Sequence, residues 1–238
     1  MVIRNNFFFS PLLLIVFAIA APGQNTSTIT ELDPAIAVAV ELNKKVRLDL
    51  YAGREKSEEI ESGKGKIGVG VSFRVKPIFR RFLDAVDTDK QHLLVLGATY
   101  EYSVAKEPSS RSIEHKVMFD ATLRYALPLD LLLSNRNRSE FRWVNGNYHF
   151  RYRNRPMLER PIRVRKRDLT PYVSTEAIWD QRYQKWNIFK FSAGMVVPVV
   201  RRVSLDFVYE RQHCVTCADQ NTNIFGLTVN LSLTRKKK

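Results

Sequence analysis

Seven charged residues spaced two apart are the most chemically suggestive set in this 238-residue chain. Arg136, Arg138, Glu140 and Arg142 lie along one segment, and Arg151, Arg153 and Arg155 along the next. Successive side chains of an extended strand point to opposite faces, so this spacing puts each set on one face, with heads roughly 7 Å apart. Two kinds of chemistry follow. Paired with carboxylates, for which Glu140, Glu159, Glu176 and Glu210 are the candidates, the ladder would be a charge network that fills and stiffens an enclosed space. Left open, its guanidinium forks would attract phosphate, carboxylate or sulfate groups. The filling network is the leading reading, because glutamate–arginine pairing inside a narrow barrel neutralises both partners.

Other reactive side chains are sparse. The only cysteines, Cys214 and Cys217, follow His213. In an oxidising compartment a local disulfide is the first reading. A redox pair would normally open a helix, which this segment does not suggest. A zinc site would need four ligands where three at most are available, so no metal is expected. The four histidines, His92, His115, His149 and His213, are isolated from one another and from any Gly-x-Ser-x-Gly pattern. Nucleophilic catalysis needs a base beside its nucleophile, so the sequence reading is of a protein that is not an enzyme and carries no cofactor.

Alternation of apolar and polar residues is the pattern that must position these groups. It is clearest at the end, where Phe225, Leu227, Val229, Leu231 and Leu233 share one face and Gly226, Thr228, Asn230 and Ser232 the other. The same pattern runs from Ile36 to Leu42 and, after a turn at Asn43-Lys44-Lys45, from Val46 to Ala52. The charged stretch 53–65 reads as a loop, and Ile67 to Val75 as the next strand. Apolar residues at helical spacing (Ile78, Phe79, Phe82, Leu83, Val86) predict a short amphipathic helix within 76–91. Strands resume over 92–104, 117–125, 129–143, 148–162, 170–179, 186–197, 202–211 and 223–234. Asn145-Gly146 marks a tight hairpin, 198–201 a short turn and 212–222 a longer loop. The count is about eleven. Bacterial single-chain membrane barrels prefer an even number, so ten or twelve is expected, with the discrepancy placed in the N-terminal third or around 127–129.

An apolar run from Phe7 to Ala21 with Ala18-Ile19-Ala20 behind it reads as a signal peptide over residues 1–23. Residues 24–35 read as a polar lead-in, 36–234 as the barrel and 235–238 as a basic tail. No later stretch approaches the roughly 20 apolar residues of a transmembrane helix. The net charge of +14 is spread over strand faces rather than gathered in a patch, which disfavours nucleic acid as a partner. An apolar face turned to lipid and a charged face turned inward describe a membrane barrel, the reverse of a soluble one. Trp143, Tyr148, Tyr152, Trp179, Tyr183, Trp186 and Tyr209 suit its interfacial girdles. The expected fold is therefore an all-β, antiparallel transmembrane β-barrel of about 10–12 strands in the bacterial outer membrane. The basic C-terminal tail, in place of the usual terminal aromatic residue, is discordant with that expectation.

The segments RNRSEFRW from Arg136, HFRYRNRPMLERP from His149, LTPYVSTEAIWD from Leu169, LDFVYERQ from Leu205 and NIFGLTVNLSL from Asn223 resemble an uncharacterised bacterial family of outer-membrane barrels, domain of unknown function 2490. The resemblance spans about 36–233 and is most specific after Arg136. It implies a β-barrel in the outer membrane and transfers no catalytic residues. Within that frame the first expectation is a porin-like channel or transporter with a cationic lumen passing small anionic solutes. The alternative is a non-conducting structural or surface-binding barrel, and a lipid-modifying enzyme ranks third. Outer-membrane lipid and the outer-membrane assembly machinery are the expected partners.

Overall fold

The computed structural model describes residues 28–57, 63–77, 88–107, 110–164, 167–217 and 220–234. Its strands are β1 (Thr28–Glu41), β2 (Val46–Ser57), β3 (Gly63–Pro77), β4 (His92–Glu107), β5 (Ser110–Leu127), β6 (Leu131–Val144), β7 (Asn147–Glu159), β8 (Ile162–Val164), β9 (Arg167–Asp180), β10 (Lys185–Val200), β11 (Val203–Cys214) and β12 (Asn221–Thr234). Neighbours pair antiparallel from β1 to β7 and on through β9, β10, β11 and β12, and β12 then pairs with β1 to close the sheet. The barrel thus has eleven staves. The three-residue β8 pairs only with the start of β9, as a short arm beyond the wall.

The closing pair is parallel: Thr28 lies opposite Asn221 and Glu41 opposite Thr234. This corrects the expectation of a wholly antiparallel barrel of ten or twelve strands. An odd number of up-and-down staves brings the first and last together pointing the same way. It also puts the two strand ends at opposite rims: Thr28 at one (the N-rim), Thr234 at the other (the C-rim). The segment 127–129 hides no further strand. It enters the β5–β6 turn, where Leu129 and Asp130 take φ of 63° and 57°. At the other rim, Asn145 and Gly146 take φ of 48° and 83°, the two positive values that a tight primed hairpin turn needs.

Each stave has one face of each kind. Leu32, Ile36, Leu50, Ile67, Val69, Phe73, Phe119, Phe207, Phe225, Leu227 and Leu233 are exposed on the outer wall. Inward positions carry the charges and the small residues. Two inward tyrosines lie over glycines. A Cβ on Gly68 would come within 2.3 Å of Tyr51 Cζ, and one on Gly194 within 2.4 Å of Tyr172 Cζ. Each ring crosses one neighbouring stave and sends its hydroxyl to an acid on the stave beyond. Tyr51 Oη donates to Glu101 at 2.5 Å and Tyr172 Oη to Asp206 at 2.9 Å.

Several expected boundaries move. The polar lead-in to residue 35 is already strand from Thr28, and the loop over 53–65 shrinks at both ends, since β2 runs to Ser57 and β3 begins at Gly63. Of the helix expected within 76–91, Lys76 and Pro77 end β3 and Thr88–Gln91 form a 3-10 turn; residues 78–87 lie outside the described residues. So do the signal peptide, residues 24–27 of the lead-in and the basic tail 235–238.

Candidate functional site: barrel interior and outer wall

All seven arginine-ladder residues on β6 and β7 point inward, and the register explains their partners. Arg136 lies opposite Arg155, Arg138 opposite Arg153 and Glu140 opposite Arg151, so four cations meet like charge across the strand pair. Relief comes mostly from other staves. Arg138 grips Asp120 of β5 through two bonds, of 2.7 and 3.0 Å. Arg153 binds Glu140 at 2.8 Å and both oxygens of Glu176 on β9, at 3.1 and 2.6 Å. Arg142 pairs with Glu114 of β5. Arg151 binds Asp180 at 2.6 Å, and that carboxylate is fully buried.

Asp180 also accepts from Arg182 in the β9–β10 turn, at 3.1 and 2.8 Å. This hydrogen bond holds the Arg182 guanidinium above its ordinary pKa. Glu210 pairs with Lys190 at 2.6 Å, and Glu159 with Lys90 at 2.8 Å, so neither serves the ladder. Arg155 meets no carboxylate among the described residues and donates to Ser174 Oγ at 3.2 Å.

The rest of the interior is built the same way. Arg74 holds Glu41 through two bonds of 2.6 Å. Lys66 bridges Asp33 and Glu55 at 3.0 Å each, and Lys116 binds Glu101 at 2.7 Å. Charge-assisted bonds between staves interlock the lumen. The sequence reading placed the ladder but missed Glu114, Lys116, Asp180, Tyr51 and Tyr172 as its supports. Only the register says which inward acid on a distant segment stands opposite which arginine.

The outer wall carries a second constellation. On β6 the positions alternating with the ladder include Asn135, Asn137 and Ser139, facing outward where apolar residues are the rule. Asn154 on β7 donates to Asn135 at 3.0 Å and Asn137 at 2.9 Å, and Tyr152 Oη donates to Asn137 at 2.6 Å. In the strand register this row runs on through the apolar Ala177 and Phe189 to His213 near the N-rim. There Arg211 and Tyr209 both donate to Asn223 at 3.0 Å, and His213 Nδ1 is 3.3 Å from Asn221. A groove of about 430 Å³ follows this row, lined by Asn154, Pro156, Phe189, Phe191, Arg211 and His213 among others. The signal was present in the sequence, since NRNRS is polar on both faces.

Beside the groove, Cys214 and Cys217 are joined by a disulfide. Val215 N donates to Asn187 O at 2.8 Å, and Thr216 Oγ1 to Asn187 Oδ1 at 2.8 Å. Asn187 occupies the irregularity between Trp186 and Ile188 in β10, so the loop is tied to the neighbouring stave. Of the expected girdle aromatics, Trp143, Tyr148, Trp179, Tyr183 and Trp186 gather at the N-rim, where Trp143 stacks near Tyr148 and Trp186 near Tyr152.

The family model described as "Protein of unknown function (DUF2490)" matches residues 63–223. No curated protein matches the chain in sequence. Among solved structures it is similar to LpxR from Salmonella typhimurium, with a TM-score of 0.50 and 8% identity over 79% of this chain and 83% of that one. The two share a barrel fold. LpxR is an enzyme, so the expectation that this chain is not an enzyme is corrected: the barrel fold gives no ground for it. That expectation rested on isolated histidines in a barrel, and a barrel of this shape houses an enzyme.

Proposed function

The chain belongs to the DUF2490 family, and from that premise we propose that it is an outer-membrane barrel that works at its outer wall, binding the polar head of an anionic membrane amphiphile. The observation that carries this reading is the outward row from Asn135 to Asn223. A lipid-facing wall has no water to satisfy amides, so polar groups there must pair with one another, as these do, or with a ligand's polar head. The row offers Arg211 to an anionic group and the Asn154 amide and His213 to hydroxyls or carbonyls. Phe189, Phe191 and Pro156 lie beside acyl chains. The lumen supports this reading over a channel, because most of its charges are paired with acids or bases on neighbouring staves.

The test is retention of lipopolysaccharide or phosphatidylglycerol by the refolded protein in neutral detergent, followed by native mass spectrometry. Wild type should retain the anionic amphiphile over phosphatidylcholine. The Asn154→Leu, Arg211→Gln double variant should lose about tenfold in affinity, equivalent to about 1.4 kcal/mol. Equal retention by wild type and variant overturns the proposal.

A further inference from the structure

Inside the C-rim half of the barrel, three arginines stand on adjacent staves: Arg124 on β5, Arg136 on β6 and Arg155 on β7. Arg136 lies directly opposite Arg155, and Arg124 is the next inward residue along from Thr122, which lies opposite Arg136. Among the described residues, most acids within reach are already held. Asp120 takes two bonds from Arg138, and Glu176 takes two from Arg153. Arg136 reaches Glu176 only secondarily, at 3.3 Å, and its Nε is 4.0 Å from Asp120, beyond hydrogen-bonding range. From the other elements facing this space, Glu159 is engaged by Lys90, and Asp206 accepts from the Tyr172 hydroxyl and offsets part of the Arg155 charge without a hydrogen bond to it.

Two guanidinium nitrogens here, Arg124 Nη1 and Arg136 Nε, are buried with no hydrogen-bond partner among the described residues. Arg155 has only a serine hydroxyl. Buried donors are nearly always satisfied, and an orphaned one costs about 1–3 kcal/mol or more when charged. An arginine fork suits the paired oxygens of a phosphate or carboxylate.

We infer that Arg124, Arg136 and Arg155 form an oxyanion site within the C-rim half of the lumen that takes a free phosphate or carboxylate group. It is independent of the wall groove and would stand if that reading failed. Arg124 lies three residues from the end of β5 and Arg155 four from the end of β7, a depth of roughly 10–13 Å at strand rise. The wall separates the site from lipid, so the anion arrives through water, past the Lys90–Glu159 pair.

The experiment is a phosphate titration of the refolded full chain in neutral detergent, read by calorimetry and by the midpoint of thermal unfolding. Phosphate should bind one per barrel and raise the midpoint. Arg155→Gln and Arg124→Gln should each weaken binding at least tenfold, whereas Arg163→Gln, on the exposed β8 arm, should leave it unchanged. A gel shift between heated and unheated samples verifies that each variant is folded, and Arg155→Lys serves where Arg155→Gln does not fold. Absence of binding to wild type, or equal binding by the arginine variants, overturns the site. In a second arm, protein in phosphate-free buffer is moved to phosphatidylglycerol nanodiscs. Stabilisation there that depends on Arg155 would assign a lipid phosphate and overturn the free-oxyanion assignment.

Discussion

Arg153 and Arg155 are two residues apart on one inward face, yet their surroundings differ sharply. Arg153 neutralises Glu140, which is 2% exposed, together with Glu176. Removing it strands Glu140 and leaves Glu176 only its 3.3 Å bond from Arg136, so Arg153→Ala should destabilise the barrel by about 3–5 kcal/mol. Arg155→Ala gives up one hydroxyl bond and should cost about 1 kcal/mol. Urea unfolding of the two refolded variants checks the contrast, and equal losses would contradict it. At Gly68, where an added Cβ meets the Tyr51 ring, Gly68→Ala should cost about 1–3 kcal/mol. Most of that penalty should vanish in a Tyr51→Ala background, a coupling that a double-mutant cycle measures. Period two alone revealed which way the arginines face. It could not reveal their partners, because Asp180 and Glu114 come opposite them only through the pairing of distant staves.

At the scale of elements, alternation located nearly every stave, and Asn145-Gly146 marked its hairpin. The failures have one physical cause. Thr28 to Asp33 reads as a polar lead-in, and 53–65 as a charged loop, because polarity usually signals solvent. Here Glu31, Asp33, Glu55, Lys64 and Lys66 face the interior, where Lys66 joins β3 to β1 and β2. A barrel with a charged inside hides strand ends from a reading tuned to hydrophobicity. The parallel seam between β1 and β12 is the element that most needs its own test. Ala35 lies opposite Thr228, so Ala35→Cys with Thr228→Cys should form a cross-link in a background with Cys214 and Cys217 replaced by serine. A cross-link visible on a non-reducing gel supports the seam. Its absence from a folded barrel would contradict the parallel register.

For the molecule as a whole, counting strands by alternation arrives at eleven staves directly, and the rule favouring even numbers pulled the expectation away from it. Parity is a statement about how the ends meet, which no local pattern encodes. What the molecule does turns on which of its two surfaces is free to act. The interior interlocks its own charges from rim to rim, with an oxyanion site set in from one mouth, while the outer wall interrupts its aliphatic surface with a polar row beside a groove. The most direct test is ion conductance of the refolded barrel in a planar bilayer under a salt gradient. A protein verified as folded and inserted should be electrically silent. Stable conductance steps with anion preference, reduced by Arg151→Ala, would make the lumen the working surface and contradict the account.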